Sequence, residues 1–122
     1  ELFGYYLHIE PGSCHAGAAL FQPSKEAHMR SINRLFDDPQ GLKAVLADPE
    51  FKKTFPEGLV TRKTLGDVPV GFESDDFVDP YLRMVGLGCR KSLPDALLLD
   101  DDVIDVLIEI FRPASQLVRY FE

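Results

Sequence analysis

Residues 5 to 15, YYLHIEPGSCH, gather a histidine, a glutamate, a cysteine and a second histidine around a Pro-Gly pair. In an extended strand, His8 and Glu10 alternate onto one face, where a carboxylate can orient an imidazole and tune it for general acid or base work. His8 and Glu10 are therefore the candidate catalytic residues, and Tyr6, on the same face, joins them as a candidate ligand-binding residue. A metal reading needs more. If the chain turned on two residues, His8 would face His15 with Cβ atoms about 5 Å apart, and Glu10 beside them would complete three ligands of the catalytic-zinc type. A slip of one residue sends His15 to the other face.

The turn chemistry favours that slip. Pro11 presets φ and Gly12 supplies the positive φ of a type II turn, whose twist does not match a tight two-residue hairpin, so a looser or bulged connection is expected. On this reading His8, Glu10 and His15 do not converge, and no metal or other cofactor is expected. Cys14 cannot touch its neighbour His15 across a strand and is expected to be a small core residue. His-x-Glu also occurs in zinc deaminases, but their Pro-Cys-x-x-Cys partner is missing from this chain. GLGCRKS, residues 86 to 92, has the composition of a phosphate loop without the spacing of one.

Elements of two periods position these groups. Tyr5, Leu7 and Ile9 alternate with Tyr6, His8 and Glu10, and small apolar residues follow from 14 to 21, which predicts an N-terminal hairpin. From Ser24, a good helix cap, Met29, Ile32 and Phe36 recur at helical spacing and predict a helix over 25–36. Asp38-Pro39 and Asp48-Pro49 each place a capping carboxylate before a proline and predict two short helices, the second ended by Pro56 and Gly58. Residues 59–65 read as a strand or extended segment. Helical spacing returns through Phe77, Tyr81, Leu82 and Val85, with Pro80 able to shorten the element, and a further strand is expected within 86–93. Three aspartates, Asp100 to Asp102, precede a stripe from Ile104 to Phe121 and complement the positive end of a helix. Pro113 interrupts that stripe and predicts a kink or break near Arg112. The part from Ile104 to Phe111 is expected to pack on the hairpin face carrying Leu7 and Ile9.

Composition bounds the rest. With 122 residues, 45% hydrophobic and 27% charged, the chain supports one domain with a single core. A net charge of -7 disfavours nucleic acid, which needs clustered cations, and the pairs Lys52-Lys53, Arg62-Lys63 and Arg90-Lys91 read as solvated faces. Apolar runs of four residues or fewer exclude a membrane-spanning helix. Two cysteines without CxxC or a secretory leader predict reduced thiols and a cytoplasmic protein, although the sequence begins with Glu1 rather than Met.

The segment GYYLHIEPGSCHAGAALFQP, then LADPEFKKTF, then VPVGF with aspartates after it, resembles the second half of a bacterial and fungal family of conserved hypothetical proteins, DUF2461. The similarity spans essentially the whole chain, with His8, Glu10, Pro11, Gly12 and Gly17 on the family pattern and His15 departing from it. It implies an intracellular α+β protein and brings no established catalytic residues. It also implies an upstream half ahead of the first strand, so the hairpin is expected to pair with such a segment or with a second copy. The fold expected is one α+β domain over residues 1–122, a small antiparallel sheet that starts with an N-terminal hairpin and is flanked by several helices. The function expected is that of a binding or accessory module; the alternative is an enzyme, a hydrolase using His8 and Glu10.

Overall fold

The computed structural model describes residues 3–73 and 77–122. Elements are numbered in chain order. Local capping accounts for the early helices: the Ser24 hydroxyl accepts the Ala27 N–H at 3.1 Å and opens α1 (Lys25–Asp37). Asp38 accepts from Gly41 N at 2.9 Å and Asp48 from Phe51 N at 3.0 Å. Each stands before a proline whose missing N–H would be unpaired in a first turn anyway, and they open α2 (Pro39–Ala47) and α3 (Pro49–Thr54).

Three strands, β1 (Gly4–His8), β2 (Cys14–Ala19) and β5 (Gly88–Leu93), form an antiparallel sheet in the order β1-β2-β5. The protein is thus α+β, and its sheet starts with an N-terminal hairpin. Two two-residue strands, β3 (Lys63–Thr64) and β4 (Met84–Val85), make a second antiparallel ladder, joined to the main sheet by a bridge between Val60 and Gly88. The strand expected over 59–65 is therefore reduced to this bridge and β3. The helix expected through Val85 contracts to α4 (Asp79–Leu82), because Pro80 occupies its first turn and Met84 already belongs to a strand. Ser74, Asp75 and Asp76, which precede that expected helix, lie outside the described residues.

The last helix corrects one expectation and refines another. α5 (Val103–Tyr120) runs through Pro113 without a break. Pro113 is buried against the core, and the carbonyl that its missing N–H would have engaged belongs to the solvent-exposed Glu109, so tertiary packing offsets the lost bond. The stretch from Ile104 to Phe111 does pack on the core, through buried Ile110 and partly buried Val106, Leu107 and Phe111, but the deeper docking lies further along the helix. Ile104 and Ile108 remain 63% and 47% exposed and Ile9 67%, whereas Ile110, Ala114, Leu117 and Val118 are buried. The reason is the floor of the sheet: Cys14, Ala16 and Ala18 on the central strand are small and fully covered, which lets a helix lie close, while β1 sits at the margin. Phe111 does reach β1, its ring 5.3 Å from that of Tyr5.

A polar clasp ties α1 to α5. The Arg34 side chain donates through Nε to the Tyr120 carbonyl at 2.6 Å, and the Tyr120 hydroxyl donates back to the Asp38 carbonyl at 2.7 Å. The core these elements enclose is centred on Ile32, Leu35, Leu42, Phe51, Phe55, Leu82 and Leu117, all but completely buried.

Candidate functional site

The hairpin register decides which side chains meet. His8 pairs with His15 and Tyr6 with Gly17. The Ser13 N–H bonds the Glu10 carbonyl at 2.8 Å, with Gly12 at φ +79°, so Pro11 and Gly12 are the two central residues of the turn. The slip that the turn chemistry favours does not occur. A contact from outside the hairpin clasps the turn in this register: the Asp95 carboxylate, on the 3-10 helix Asp95–Leu99, receives the Gly12 N–H at 2.9 and 3.1 Å.

With that register, the sheet face turned away from α5 carries two cross-strand rows. His8, His15 and Ser92 form one, and Tyr6, Gly17 and Arg90 the other. The His8 and His15 rings stack with centroids 4.7 Å apart and planes 26° from parallel. His8 Nε2 lies 3.0 Å from Glu10 Oε1. The Tyr6 hydroxyl lies 2.7 Å from His15 Nδ1, and the Tyr6 ring meets both His15 and Phe21 edge-on. Gly17 leaves the space between Tyr6 and Arg90 open, and a Cβ there would collide with the Cys89 carbonyl of the neighbouring strand.

The electrostatics follow from this crowding. Burial pushes the Tyr6 phenol up to about 12, opposed by Arg90 and Arg62, so it is a neutral donor at ordinary pH. Burial first, and then His8, Arg90 and Arg62, hold His15 below the usual histidine range against a smaller opposing effect of Glu10. A neutral His15 that accepts the Tyr6 proton at Nδ1 carries its own proton on Nε2 and keeps that nitrogen as a donor.

Tyr6 and His15 form part of the wall of a cleft of about 330 Å³, closed on other sides by Leu20 to Pro23, by residues 60–63 and by residues 85–90. His8 and Glu10 do not line it. The stretch thus places Tyr6, His8, Glu10 and His15 on one face, but the concavity belongs to Tyr6 and His15. Among the described residues no group of three or more His, Cys, Asp or Glu side chains has the geometry to hold a metal ion. Cys14 and Cys89 are buried free thiols in the core, on the side away from this face, and do not act with His15. Arg62, Lys63 and Arg90, read from sequence as ordinary solvated charges, are also cleft residues. Only their pairing partners in three dimensions, through the Val60–Gly88 bridge, could have revealed this.

The fold is α+β, and it carries a hairpin-borne Tyr–His pair on the wall of a cleft. The family model for conserved hypothetical proteins, DUF2461, matches residues 1–120, and the chain belongs to that family. No solved structure matches it. Among the described residues no helix is long and apolar enough to cross a membrane.

Proposed function

We propose that the protein is a binding module for a small organic molecule held in the cleft beside Tyr6 and His15. The observation that carries this reading is the 2.7 Å contact between the Tyr6 hydroxyl and His15 Nδ1 on the wall of a 330 Å³ concavity. Small-ligand sites combine a largely apolar cleft of at least this size with a few fixed polar groups, and Leu20, Phe21, Pro23, Val60 and Val85 supply the apolar part. Amide NMR of labelled protein against mixed fragments tests it: shifts should cluster at residues 15–23, 60–63 and 85–90. Shifts confined to other surfaces would refute it.

A second reading, a hydrolase using His8 and Glu10, is supported by their 3.0 Å contact and by the stacking of His8 on His15. It ranks behind because both groups lie outside the cleft. Activated ester substrates test it, with turnover that disappears in His8→Ala. We also propose that the hairpin edge pairs with a second copy, supported by the place of β1 at the end of the strand order. Sedimentation velocity across micromolar concentrations should show association, and a sedimentation coefficient constant at the monomer value rejects it.

A further inference from the structure

We propose that the ligand of this cleft is an organic anion, a molecule with an apolar body and a phosphate or carboxylate head held by Arg62 and Arg90. The inference rests on the cleft reading above and narrows it to a chemical class.

The charge distribution carries it. The chain bears 20 acidic and 13 basic side chains. Yet among the described residues the lining of the cleft includes three cations, Arg62, Lys63 and Arg90, and no aspartate or glutamate. An acidic protein that gathers cations around one concavity creates a local potential opposite to its overall field, which concentrates anions there. The two guanidiniums come from different segments. Val60 and Gly88 bridge in antiparallel sense, so Arg62 and Arg90 leave that bridge in opposite directions and line the cleft from two sides. Both guanidiniums act electrostatically on Tyr6 and on His15.

Neither arginine is committed elsewhere in a way that would prevent capture of an anion. Arg90 makes one contact with Glu57, 3.6 Å long and between side chains about half exposed, the kind of pair that contributes little and is readily exchanged. Arg62 has no side-chain hydrogen bond or ion pair among the described residues. The neutral His15 adds a donor at Nε2, and the Tyr6 phenol, whose proton is given to His15 Nδ1, adds no competing negative charge. Guanidinium groups bind carboxylate and phosphate oxygens through paired N–H donors, which gives the head group a defined seat. The body of the ligand then meets Phe21, whose ring is half exposed and set edge-on to Tyr6.

The experiment uses the labelled full chain and four probes: phenyl phosphate, benzoate, the neutral isostere benzamide, and inorganic phosphate. Each is titrated to about 10 mM, the range in which a fragment of roughly ten heavy atoms binds. Amides of residues 60–63 and 86–90 should shift with phenyl phosphate, benzoate or both, and the stronger of the two identifies the head group. Benzamide and inorganic phosphate should bind about tenfold more weakly or not at all, and Arg62→Gln combined with Arg90→Gln should weaken the anion about tenfold or more. These arginines are exposed, so an unchanged spectrum outside the cleft verifies that the variant is folded. Equal binding of benzamide overturns the anion assignment while leaving a small-molecule cleft in place. Inorganic phosphate binding as well as phenyl phosphate removes the apolar body from the proposal, and an anion unaffected by the double substitution removes the arginines. If no probe shifts cleft amides, both this inference and the cleft reading fall.

Discussion

The Gly12 N–H points at the Asp95 carboxylate and reaches both of its oxygens, at 2.9 and 3.1 Å, across 83 positions of sequence. The same carboxylate lies 3.5 Å from Cys14 Sγ, so one side chain grips both sides of the hairpin turn. Asp95→Ala should therefore loosen the turn and disturb the His8–His15 pairing. The contact is solvent-accessible, which limits the loss of stability to about 1 kcal/mol. The sharper readout is hydrogen exchange: the amides of Gly12 and Ser13 should exchange much faster, with little change in α2 and α3. Unchanged exchange at Gly12 would mean that the turn holds its register alone.

The two halves of α5 should respond differently to truncation. Leu117 is fully buried, and Leu117→Ala should cost about 2–5 kcal/mol as a core cavity. Ile104→Ala and Ile108→Ala remove side chains that are about half exposed or more, and each should change stability by no more than about 0.5–1 kcal/mol. Denaturant midpoints of the three variants check the contrast. Equal losses at Ile104 and Leu117 would place the docking stripe elsewhere.

Stability should fall on the acid side, and the sign follows from the histidines. His15 and His28 are held below their ordinary value of 6.5, chiefly by burial. Below about pH 6.5 the unfolded chain takes up protons that the folded one resists, so ΔG of unfolding declines as pH falls until the folded-state values are passed. Proton NMR should show the His15 ring titrating below 6.5. A midpoint at or above that value contradicts the burial of the ring between Tyr6 and His8.

Alkaline pH has the opposite linkage. Burial raises the Cys89 thiol from 9.0 to about 12 and the Tyr6 and Tyr120 phenols from 10.0 to about 12. The unfolded chain releases these protons first, so stability present below pH 9 should drop as pH rises toward 12. The thiol adds a chemical test. Native protein should react slowly with a disulfide reagent at pH 8 and quickly after denaturation, since both cysteines are buried. Rapid modification of native protein would show that the sheet opens readily.

The sequence was legible where the deciding contact is local. Ser24, Asp38 and Asp48 each bond an N–H three residues ahead, and the helices they start are the ones the sequence predicts. The hairpin was legible for a similar reason, since the alternation of β1 is written in consecutive residues. The register was not, because Pro11 and Gly12 specify a turn, and the Asp95 carboxylate that clasps it stands 83 positions from Gly12. Continuity of α5 through Pro113 was hidden because the packing that holds it comes from other elements. At the site, Tyr6, His8, Glu10 and His15 were named from a single stretch. Their cationic neighbours were missed, since Arg62 and Arg90 meet Tyr6 only once β5 has docked beside β2 and Val60 has bridged to Gly88.

The long reach from Gly12 to Asp95 also bears on how the chain is made. During synthesis the hairpin emerges first, and at roughly 5–20 residues per second the carboxylate that locks it arrives about 4–17 s later. A hairpin forms in microseconds, so throughout that interval β1 and β2 can exchange registers many times. Until Asp95 is made, the histidine pairing is free to shift, and the clasp that holds the turn beside the Tyr6–His15 pair closes only after it. A codon-paced pause before Asp95 would prolong the state in which an unlocked, apolar hairpin is open to chaperones.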